Sequence, residues 1–586
     1  MVGICTEKGT ENSVKDFIQI AASYSQAIIS GEIPACQWTI AACERARRDH
    51  ARQLEDPQWG FRFSPDAANR VCRFIEQLRH TKSSVSTKAD ETIELLPWQV
   101  FILTEIFGWL RKDNGTRRYR RSYIEVGKGN GKSTLAAGIA LYMAFCDGEG
   151  GADVLCAASM KEQARIVLDT ARQMSQKDKN LCKHLGIKTQ AHDILQAATQ
   201  SRMRALPAKA SSVEGVSLHC AILDELHAQR GRALYDCLST ATTKRGNSLF
   251  AMVTTAGNDC AGIAFELHQF IERLLNQEVE ADTFFAILYG IDPADSWDAP
   301  IAWQKANPSW GVSVDPSVMA EEASRAAHMP GERQAFRVFH LSEWLMNGGE
   351  ESFLDFNVVR QCYDKSLNED EFKDQPCVLG ADFANKIDLC SLVRVHNRSV
   401  NGKTHFYVFS KNWMPEQTVK NSPVSSLRGW VETGQLISTA GNVVDFDAIE
   451  ETIVQEWGKC APRDFNYDPM QAGMLVTHLK RRTEKWDAFV EITQFAKNMT
   501  DGMNLLQEIA VDGRLHTNSQ VLLWCLANLM HRRFGLHFIS PARPKDASKK
   551  IDAAVALVMA LKSCAACPLD ESDSGSPYLK RGIIFI

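Results

Sequence analysis

Three glycines, two lysines and a Ser-Thr pair lie together in residues 125–134, EVGKGNGKST. Glycines let a backbone turn tightly and aim its N–H groups at phosphate oxygens. In the usual phosphate loop, G-x-x-x-x-G-K is followed by Ser or Thr, and the lysine reaches the β- and γ-phosphates. Here Val126 stands where the first glycine is expected. The segment predicts either a nucleotide site with an altered entrance or a glycine-rich turn that ends in Lys-Ser.

The run CAILDE, residues 220–225, has the pattern of the acidic strand that a phosphate loop requires. Asp224 would hold the magnesium shell, and Glu225 would orient and deprotonate the attacking water. Either acid alone would equally suit a helix N-cap. The run VTTAG, residues 253–257, ends the next strand and is a candidate γ-phosphate sensor, although Thr and Gly also suit an ordinary turn.

The predicted nucleotide-binding residues are consecutive in the loop: Gly127, Lys128, Gly129, Asn130, Gly131, Lys132, Ser133 and Thr134. Lys132 is the predicted catalytic lysine, and its amine would contact the phosphates. Ser133 is the predicted magnesium ligand of the loop, together with Asp224.

These residues need strands and helices that hold them in place. Short apolar runs alternate with helical stretches from residue 122 to about 258, which predicts a mostly parallel sheet covered on both faces. The same alternation resumes near residue 376 and predicts a second α/β domain. Residues 1 to about 90 are mostly helical in their apolar periodicity.

Composition limits the class of protein. A chain of 586 residues exceeds one hydrophobic core, so at least two domains are expected. The 17 scattered cysteines argue against a disulfide framework, and the single C-x-x-C pair, Cys564 and Cys567, lacks the second pair of a zinc site. No apolar run approaches the roughly 18 residues of a membrane span. The net charge of −5 is uneven, and RKDNGTRRYRR, residues 111–121, is either a solvated loop or a polyanion contact.

Five short motifs occur in one order along the first half of the chain: LPWQ, GKGNGKST, AASMKEQA, ILDELH and VTTAG. Together they resemble the ATPase of the large terminase subunit of tailed bacteriophages, the motor that packages DNA into procapsids. In that family the first glycine of the loop is often lost and a basic residue stands near Lys128. The resemblance also implies that Gln99 contacts the adenine, whereas the sequence alone favours a surface residue beside Trp98. The run KANPSWG, residues 305–311, looks like the family's region between its two domains.

The resemblance implies a ribonuclease-H-like nuclease in the second domain. Two-metal hydrolysis needs hard oxygen ligands on both metals, and these come from separate elements. Asp382 ends one predicted strand, Asp468 ends another, and Asp552 begins a helix, in the order of the family pattern. Taken singly, each is also an ordinary strand-end or helix-terminal aspartate. Asp388 is a candidate fourth ligand or a group behind the ligands, with a plain loop aspartate as the alternative.

The expected architecture is a helical region at residues 1–90, a P-loop ATPase domain with linker at 91–350, a nuclease domain at 351–565 and a tail at 566–586. The resemblance implies an ATP-driven motor that moves double-stranded DNA into a procapsid and cuts concatemers. It implies ATP with Mg²⁺ in the first domain and two divalent metals, Mg²⁺ or Mn²⁺, in the second.

The implied partners are double-stranded DNA, a small terminase subunit, a portal protein and further copies of the chain on the portal, in the host bacterial cytoplasm and without a membrane. The alternatives are a helicase-like ATPase whose second domain only binds nucleic acid, and a scaffold with decayed sites. The sequence does not place an activating arginine, although Arg202, Arg204 and the run from Arg117 to Arg121 are candidates.

Overall fold

The structure, a computed structural model, describes residues 15–83, 86–159, 161–206, 215–229, 231–259, 262–345, 352–383, 387–422, 424, 426–535, 537–544 and 546–566. The predicted tail lies outside the described residues from 567 onward, and so does Cys567. Contacts divide the chain into two compact units, Met1–Gly257 with Ile263–Trp344, and Asn258–Gly262 with Leu345–Ile586.

The first unit contains twelve α-helices and ten strands among the described residues. The helices are α1 (Phe17–Ser30), α2 (Gln37–Glu55), α3 (Pro65–Gln77), α4 (Pro97–Gly108), α5 (Lys132–Phe145), α6 (Lys161–Lys177), α7 (Lys179–Leu185), α8 (Ala233–Ala241), α9 (Ile263–Leu275), α10 (Pro300–Ala306), α11 (Pro316–His328) and α12 (Pro330–Leu341). The strands are β1 (Phe61–Phe63), β2 (Trp109–Arg111), β3 (Arg121–Glu125), β4 (Asp153–Ala157), β5 (Ile187–Thr189), β6 (Asp193–Gln196), β7 (Ser201–Ala205), β8 (Cys220–Asp224), β9 (Leu249–Thr254) and β10 (Phe284–Leu288).

Eight of these strands form one sheet in the order β10-β3-β9-β8-β4-β7-β6-β5. The first six are parallel to their neighbours, and β6 and β5 complete the sheet in antiparallel pairs. Strands β3, β4, β8 and β9 are buried almost throughout, as expected for parallel strands with both faces covered. The loop after β3 and the acids at the end of β8 therefore lie at the same end of the sheet, where the parallel strands terminate. Strand β9 lies between β3 and β8.

The basic run before β3 is tied into the fold. Arg118 is fully buried, its guanidinium lies 4.7 Å from the Trp59 ring centroid, and it pairs with Asp49 at 2.9 Å. Arg117 is equally buried and pairs with Asp147 at 2.7 Å. The interpretation of this run as a polyanion contact is therefore wrong for both arginines, because neither charge reaches solvent.

Helices α10, α11 and α12 form a small apolar cluster of their own around Trp303, Met319 and Phe336. Prolines occupy the first turn of all three helices, where the missing N–H leaves no hydrogen bond unmade. The sequence marked this stretch only as an interruption of the strand-helix pattern, because its helices are short and their apolar positions are few.

The second unit contains eight α-helices and nine strands among the described residues. The helices are α13 (Phe356–Gln361), α14 (Glu416–Asn421), α15 (Ser426–Glu432), α16 (Phe446–Lys459), α17 (Pro469–Thr483), α18 (Ala496–Val511), α19 (Gln520–Asn528) and α20 (Asp552–Ala566). The strands are β11 (Pro376–Asp382), β12 (Cys390–Val400), β13 (Lys403–Pro415), β14 (Ile437–Thr439), β15 (Ala461–Tyr467), β16 (Phe489–Glu491), β17 (Leu515–Thr517), β18 (Met530–Phe534) and β19 (Phe538–Ala542).

The main sheet of this unit has the order β14-β13-β12-β11-β15-β16, and β17 pairs with β13. Strand β12 runs antiparallel to its neighbours β11 and β13, whereas β15 runs parallel to β11. Alternate residues of β11 enter two different apolar clusters, with Val378 in one and Leu379 in the other. Both faces of the sheet are thus covered. Among the described residues of the whole chain, no helix is long and apolar enough to cross a membrane.

Candidate functional site

The glycine-rich loop begins one residue later than the usual pattern. The N–H of Val126 donates to the carbonyl oxygen of Thr254 at 3.0 Å, so this residue prolongs β3 beside β9. A β-branched residue suits that extended, buried position. The turn itself uses Gly129 at φ 92° and Gly131 at φ 76°, values that favour glycine. Val126 is therefore compatible with a tight phosphate loop, because the turn starts at Gly127.

Lys132 opens α5 and is buried. Its Nζ donates to the carbonyl oxygens of Val126 at 2.8 Å and Gly127 at 3.1 Å, so the amine is turned into its own loop. Burial lowers the pKa of Lys132 to about 8, and the nearby charges of Glu225 and Asp224 oppose that shift. The loop thus holds one desolvated cation opposite two acids.

Asp224 ends β8 and lies beside the loop. Its Oδ2 accepts a hydrogen bond from Ser133 Oγ at 3.4 Å, so the structure brings the two predicted magnesium ligands together. Burial and the charge of Glu225 raise the pKa of Asp224 to about 6. The donor set consists of a hydroxyl and a carboxylate, hard oxygens of the kind that Mg²⁺ prefers, so these residues fit that ion.

Glu225 has φ 52°, in the left-handed region that a side chain with a Cβ rarely adopts. Its Oε2 lies 3.1 Å from Nδ1 of His227, which in turn lies 3.2 Å from the hydroxyls of both Thr254 and Thr255. A Cβ on Gly257 would lie 2.9 Å from the Cβ of His227, so VTTAG needs its glycine here. Sequence reasoning missed His227, and its only signal was the position two residues after Glu225.

The other residues predicted to bind nucleotide lie in the phosphate loop or beside it. Gln99 is half-buried, its Oε1 accepts from the N–H of Leu96 at 3.0 Å, and its Nε2 lies 3.9 Å from where a Cβ of Gly131 would be. The Nζ of Lys128 lies 3.5 Å from the Phe339 ring centroid, and its N–H donates to the Phe339 carbonyl oxygen at 2.6 Å. Thr134 is half-buried in the first turn of α5.

Two candidate arginines are engaged elsewhere. Arg202 and Arg204 both pair with Asp153, at 2.8 and 3.1 Å, where β7 lies beside β4. These ion pairs join neighbouring strands, which gives both arginines a structural explanation.

A buried charged network lies directly before the loop. Glu125 is 1% exposed, accepts from Tyr123 Oη at 2.7 Å and from Trp344 Nε1 at 3.3 Å, and contacts His268 Nδ1 at 3.2 Å. Burial opposes a charge on His268, but Glu125 and Glu272 outweigh it and raise the pKa of His268 to about 9. The imidazolium is therefore held between two carboxylates.

In the second unit, the strand ends bring two predicted carboxylates together. Ala381 pairs with Tyr467 between parallel β11 and β15, and the next residues are Asp382 and Asp468. A Cβ on Gly380 would lie 2.1 Å from the Ala556 carbonyl oxygen, so α20 crosses β11 closely here. Asp552, one turn before Ala556, is thereby placed near the end of β11.

Burial, neighbouring charges and hydrogen bonds all act on Asp382 and Asp552. Burial and the charge of Asp552 raise the pKa of Asp382 well above its ordinary value, with a smaller effect of Asp468 in the same direction. Burial raises the pKa of Asp552 to about 6, against the effect of Arg543. Gln494 Nε2 donates to Asp382 at 3.0 Å, and Arg543 Nη2 donates to Asp552 at 2.7 Å.

Asp388 is bound by cations. Lys550 Nζ lies 2.8 Å and Arg543 Nη1 3.3 Å from its carboxylate oxygens, and despite partial burial they lower the pKa of Asp388. In the part of the chain that the structure describes, no three His, Cys, Asp or Glu side chains are arranged to hold a metal ion as they stand. Arg543 pairs with Asp388 and Asp552, and Lys550 pairs with Asp388, whereas the neutral amide of Gln494 donates a hydrogen bond to Asp382.

The donor set nevertheless fits a divalent metal. Asp382, Asp468 and Asp552 supply only carboxylate oxygens, the ligands that Mg²⁺ and Mn²⁺ prefer. Oδ2 of Asp552 is buried and accepts no hydrogen bond from the described residues. A buried carboxylate oxygen without a donor is unfavourable, and a cation would relieve it.

Comparisons with known proteins show the family of the chain and its two domains. Residues 97–273 match the family model of the terminase large subunit ATPase domain, and residues 278–567 match that of the terminase large subunit endonuclease domain. Protein YmfN of Escherichia coli (strain K12) is 33% identical over 359 residues, covering 59% of this chain and 78% of the relative. The terminase large subunit of Lactococcus phage SK1 is 23% identical over 489 residues, covering 80% and 87%. The crystal structure of the HK97 bacteriophage large terminase is 22% identical with a TM-score of 0.45, covering 85% of this chain and 99% of that one.

Proposed function

Because this chain belongs to the terminase large subunit family and carries its ATPase and endonuclease domains, we propose that the loop 127–134 and the carboxylates Asp382, Asp468 and Asp552 are the two active sites of a viral DNA-packaging motor. The family uses nucleotide and divalent metal and acts on DNA in packaging. The observation that carries the assignment is the meeting of Lys132, Asp224 and Glu225 at one sheet edge.

In the ATPase site, the loop N–H groups and Lys132 bind the phosphates of ATP, and Gln99 contacts the adenine. Phosphate oxygens then accept the hydrogen bonds that Lys132 now donates to loop carbonyl oxygens, so its charged amine turns from the loop to the nucleotide. Ser133 and Asp224 would hold Mg²⁺, which would supply neutralisation of phosphate charge. Glu225 orients the attacking water and takes its proton, and His227 positions the Glu225 carboxylate.

In the nuclease site, Asp382, Asp468 and Asp552 hold two divalent metals, with Asp388 as a fourth ligand or as a group behind them. Metals held by these carboxylates would supply stabilisation of negative charge on the oxygens of a phosphodiester. Arg543 donates to Oδ1 of Asp552, so Oδ2, which accepts no hydrogen bond from the described residues, would be the oxygen that binds metal. ATP hydrolysis in the ATPase site moves double-stranded DNA, and the nuclease site cuts it.

The proposed domains are the helical region 1–90, the ATPase domain with linker 91–350, the nuclease domain 351–565 and the tail 566–586. The proposed partners are a small terminase subunit, a portal protein and further copies of this chain on the portal, in the host bacterial cytoplasm. These partners are supported by family membership.

The metal site can be tested with two aspartates that hold the same structural position. Asp468 caps α17 by accepting from Met470 N at 3.0 Å, and Asp445 caps α16 by accepting from Asp447 N at 3.1 Å. Asparagine caps a helix about as well as aspartate. Asp468→Asn and Asp445→Asn should therefore melt close to the parent without metal.

Added Mn²⁺ should raise the melting temperature of the parent and of Asp445→Asn more than that of Asp468→Asn, because ligand binding to the folded state stabilises it. Plasmid cleavage should be lost only in Asp468→Asn. Equal metal responses and intact cleavage in both variants would leave Asp468 as a helix cap and favour a second domain that only binds nucleic acid.

A further inference from the structure

Two residues from the loop after α10 lie against the phosphate loop. Asn307 and Ser309 belong to the run KANPSWG, and with Asn130 of the phosphate loop they are each no more than 1% exposed. Three buried polar side chains in contact are costly unless their hydrogen bonds are made. The arrangement of those bonds indicates what the cluster does.

Asn130 is held from both sides. Its Nδ2 donates to the carbonyl oxygen of Gly127 at 3.0 Å and to Oδ1 of Asn307 at 2.8 Å, and its Oδ1 accepts from the N–H of Ser309 at 3.0 Å. The first bond closes the loop across its own turn, and the other two fix the amide that makes it. The shape of residues 127–130 therefore depends on the segment after α10.

Asn307 connects the loop to the end of α12. Its Nδ2 donates to the carbonyl oxygens of Trp303 at 2.8 Å and His340 at 2.9 Å. The His340 carbonyl belongs to the last turn of α12, where helix carbonyls lack partners within the helix. A Cβ on Gly127 would lie 2.8 Å from that oxygen and 3.0 Å from Oδ1 of Asn307, so the loop approaches this segment as closely as glycine permits.

Ser309 connects the loop to the helix that carries Gln99. Its Oγ accepts from Trp98 Nε1 at 3.1 Å and donates to the Asn130 carbonyl oxygen at 3.4 Å. Trp98 is buried and directly precedes Gln99. One hydroxyl therefore joins the two segments proposed to bind opposite ends of the nucleotide.

We propose that Asn307 and Ser309 are positioning residues of the ATPase site, which hold Asn130 so that the phosphate loop keeps its nucleotide-binding shape. Neither touches the reacting atoms; both act through Asn130 and Trp98. A loop whose entrance residue, Val126, continues a strand is thus shaped by contacts from outside the loop. This inference rests on the proposed nucleotide function of residues 127–134.

The alternative is that the cluster stabilises the fold without affecting nucleotide binding. Asn247 supplies the matched control, because it is in the same unit and its side chain also makes internal bonds, to Arg117 N at 2.8 Å and Asp147 at 3.2 Å, away from the phosphate loop. Asn247→Ala and Asn307→Ala remove the same atoms. Both should lower the melting temperature of the nucleotide-free protein.

The measurements are titration of the full chain with a fluorescent ADP analogue in Mg²⁺, and the rise in melting temperature that ADP produces. Asn307→Ala should weaken ADP binding by roughly 10- to 100-fold, the range for buried hydrogen bonds left unmade, and should lose most of the ADP-induced rise. Asn247→Ala should keep both. The double variant Asn130→Ala/Asn307→Ala should bind ADP about as tightly as the single variant with the lower ADP affinity, because both substitutions remove the same hydrogen bond.

A gentler variant covers the case in which Asn307→Ala does not fold. Ser309→Ala removes only the hydroxyl and should weaken ADP binding by roughly 3- to 10-fold, whereas Ser317→Ala, whose hydroxyl donates to Asp315, should not. ADP binding in Ser309→Ala equal to that in Ser317→Ala would overturn the inference, as would equal binding in Asn307→Ala and Asn247→Ala. A parent chain that binds no ADP would overturn the proposed function and this inference together.

Discussion

The nucleotide site of the first unit and the carboxylate site of the second balance their charges differently. In the first, the cation is itself a proposed catalytic residue, since Lys132 lies opposite Asp224 and Glu225. In the second, the proposed catalytic residues are the carboxylates, and the cations beside them are Arg543 and Lys550. The first site therefore presents a cation to an incoming anion, whereas the second presents a buried carboxylate oxygen without a donor among the described residues, Oδ2 of Asp552, beside cations that already pair with its neighbours.

The two sites also differ in how they are assembled. Eight consecutive residues form the phosphate loop, and one strand end supplies both acids. The nuclease site needs the ends of β11 and β15 and the start of α20, which meet because Gly380 allows α20 to approach. A substitution in the first site should therefore alter the chemistry of the substituted residue alone. A substitution in the second site should also disturb the other residues that packing holds beside it.

The largest expected effect comes from Glu225→Gln. The amide keeps the shape of the side chain but cannot take a proton, so ATP hydrolysis should fall by roughly 10²- to 10⁴-fold while ADP binding and DNA cleavage persist. Phosphate release, ADP titration and plasmid cleavage measure the three properties. Glu149→Gln, which changes a partner of Arg245 on another loop, is the control. ATP hydrolysis at the parent rate would show that Glu225 only forms the turn after β8 and is not the general base.

A smaller effect is expected from pH on nucleotide binding. Lys132 has a pKa lowered to about 8 by burial, and bound phosphate should raise it again, so binding above pH 8 takes up a proton. Affinity for ADP should then fall by about tenfold per pH unit above that value. Lys132→Arg stays protonated and should bind with little change over the same range. Equal slopes in parent and variant would assign the titration to another group.

The smallest effect concerns the network before the loop. The pKa of His268 is raised to about 9, so its contribution to the free energy of unfolding is fully present below about pH 6.5 and is lost as the pH rises through 9. A shift of this size corresponds to at most about 3 kcal/mol. The melting temperature of the parent should fall more between pH 6.5 and 9 than that of His268→Gln. Parallel curves would mean that His268 is neutral.

The sequence predicted the phosphate loop, its acids and the two α/β sheets because each depends on local pattern. The family, the fold class and the ATPase and nuclease activities are confirmed. The roles of individual residues stay predictions, although Ser133 with Asp224, and Asp382 with Asp552, are brought together. Strand-end acids are predictable because parallel strands share an edge.

The sequence did not predict what holds these residues. Nothing local indicated that Asn307 and Ser309 reach the phosphate loop, because their partner Asn130 is far away along the chain. Arg543 follows a short hairpin whose strands lack clear apolar alternation, so its contact with Asp552 was equally hidden. The buried Arg118 was misread for a related reason, since charge density in a sequence does not reveal burial among aromatic rings.

The central claim is that one chain carries two chemically separate active sites. The most direct test measures ATP hydrolysis and Mn²⁺-dependent plasmid cleavage side by side in full-length Lys132→Ala and Asp382→Asn. Lys132→Ala should lose hydrolysis and keep cleavage, because it removes only the phosphate-binding cation. Asp382→Asn should keep hydrolysis and lose cleavage by more than about 100-fold, above the range for a group that only orients a metal ligand. Loss of both activities in either folded variant, or cleavage intact in Asp382→Asn, would contradict the account.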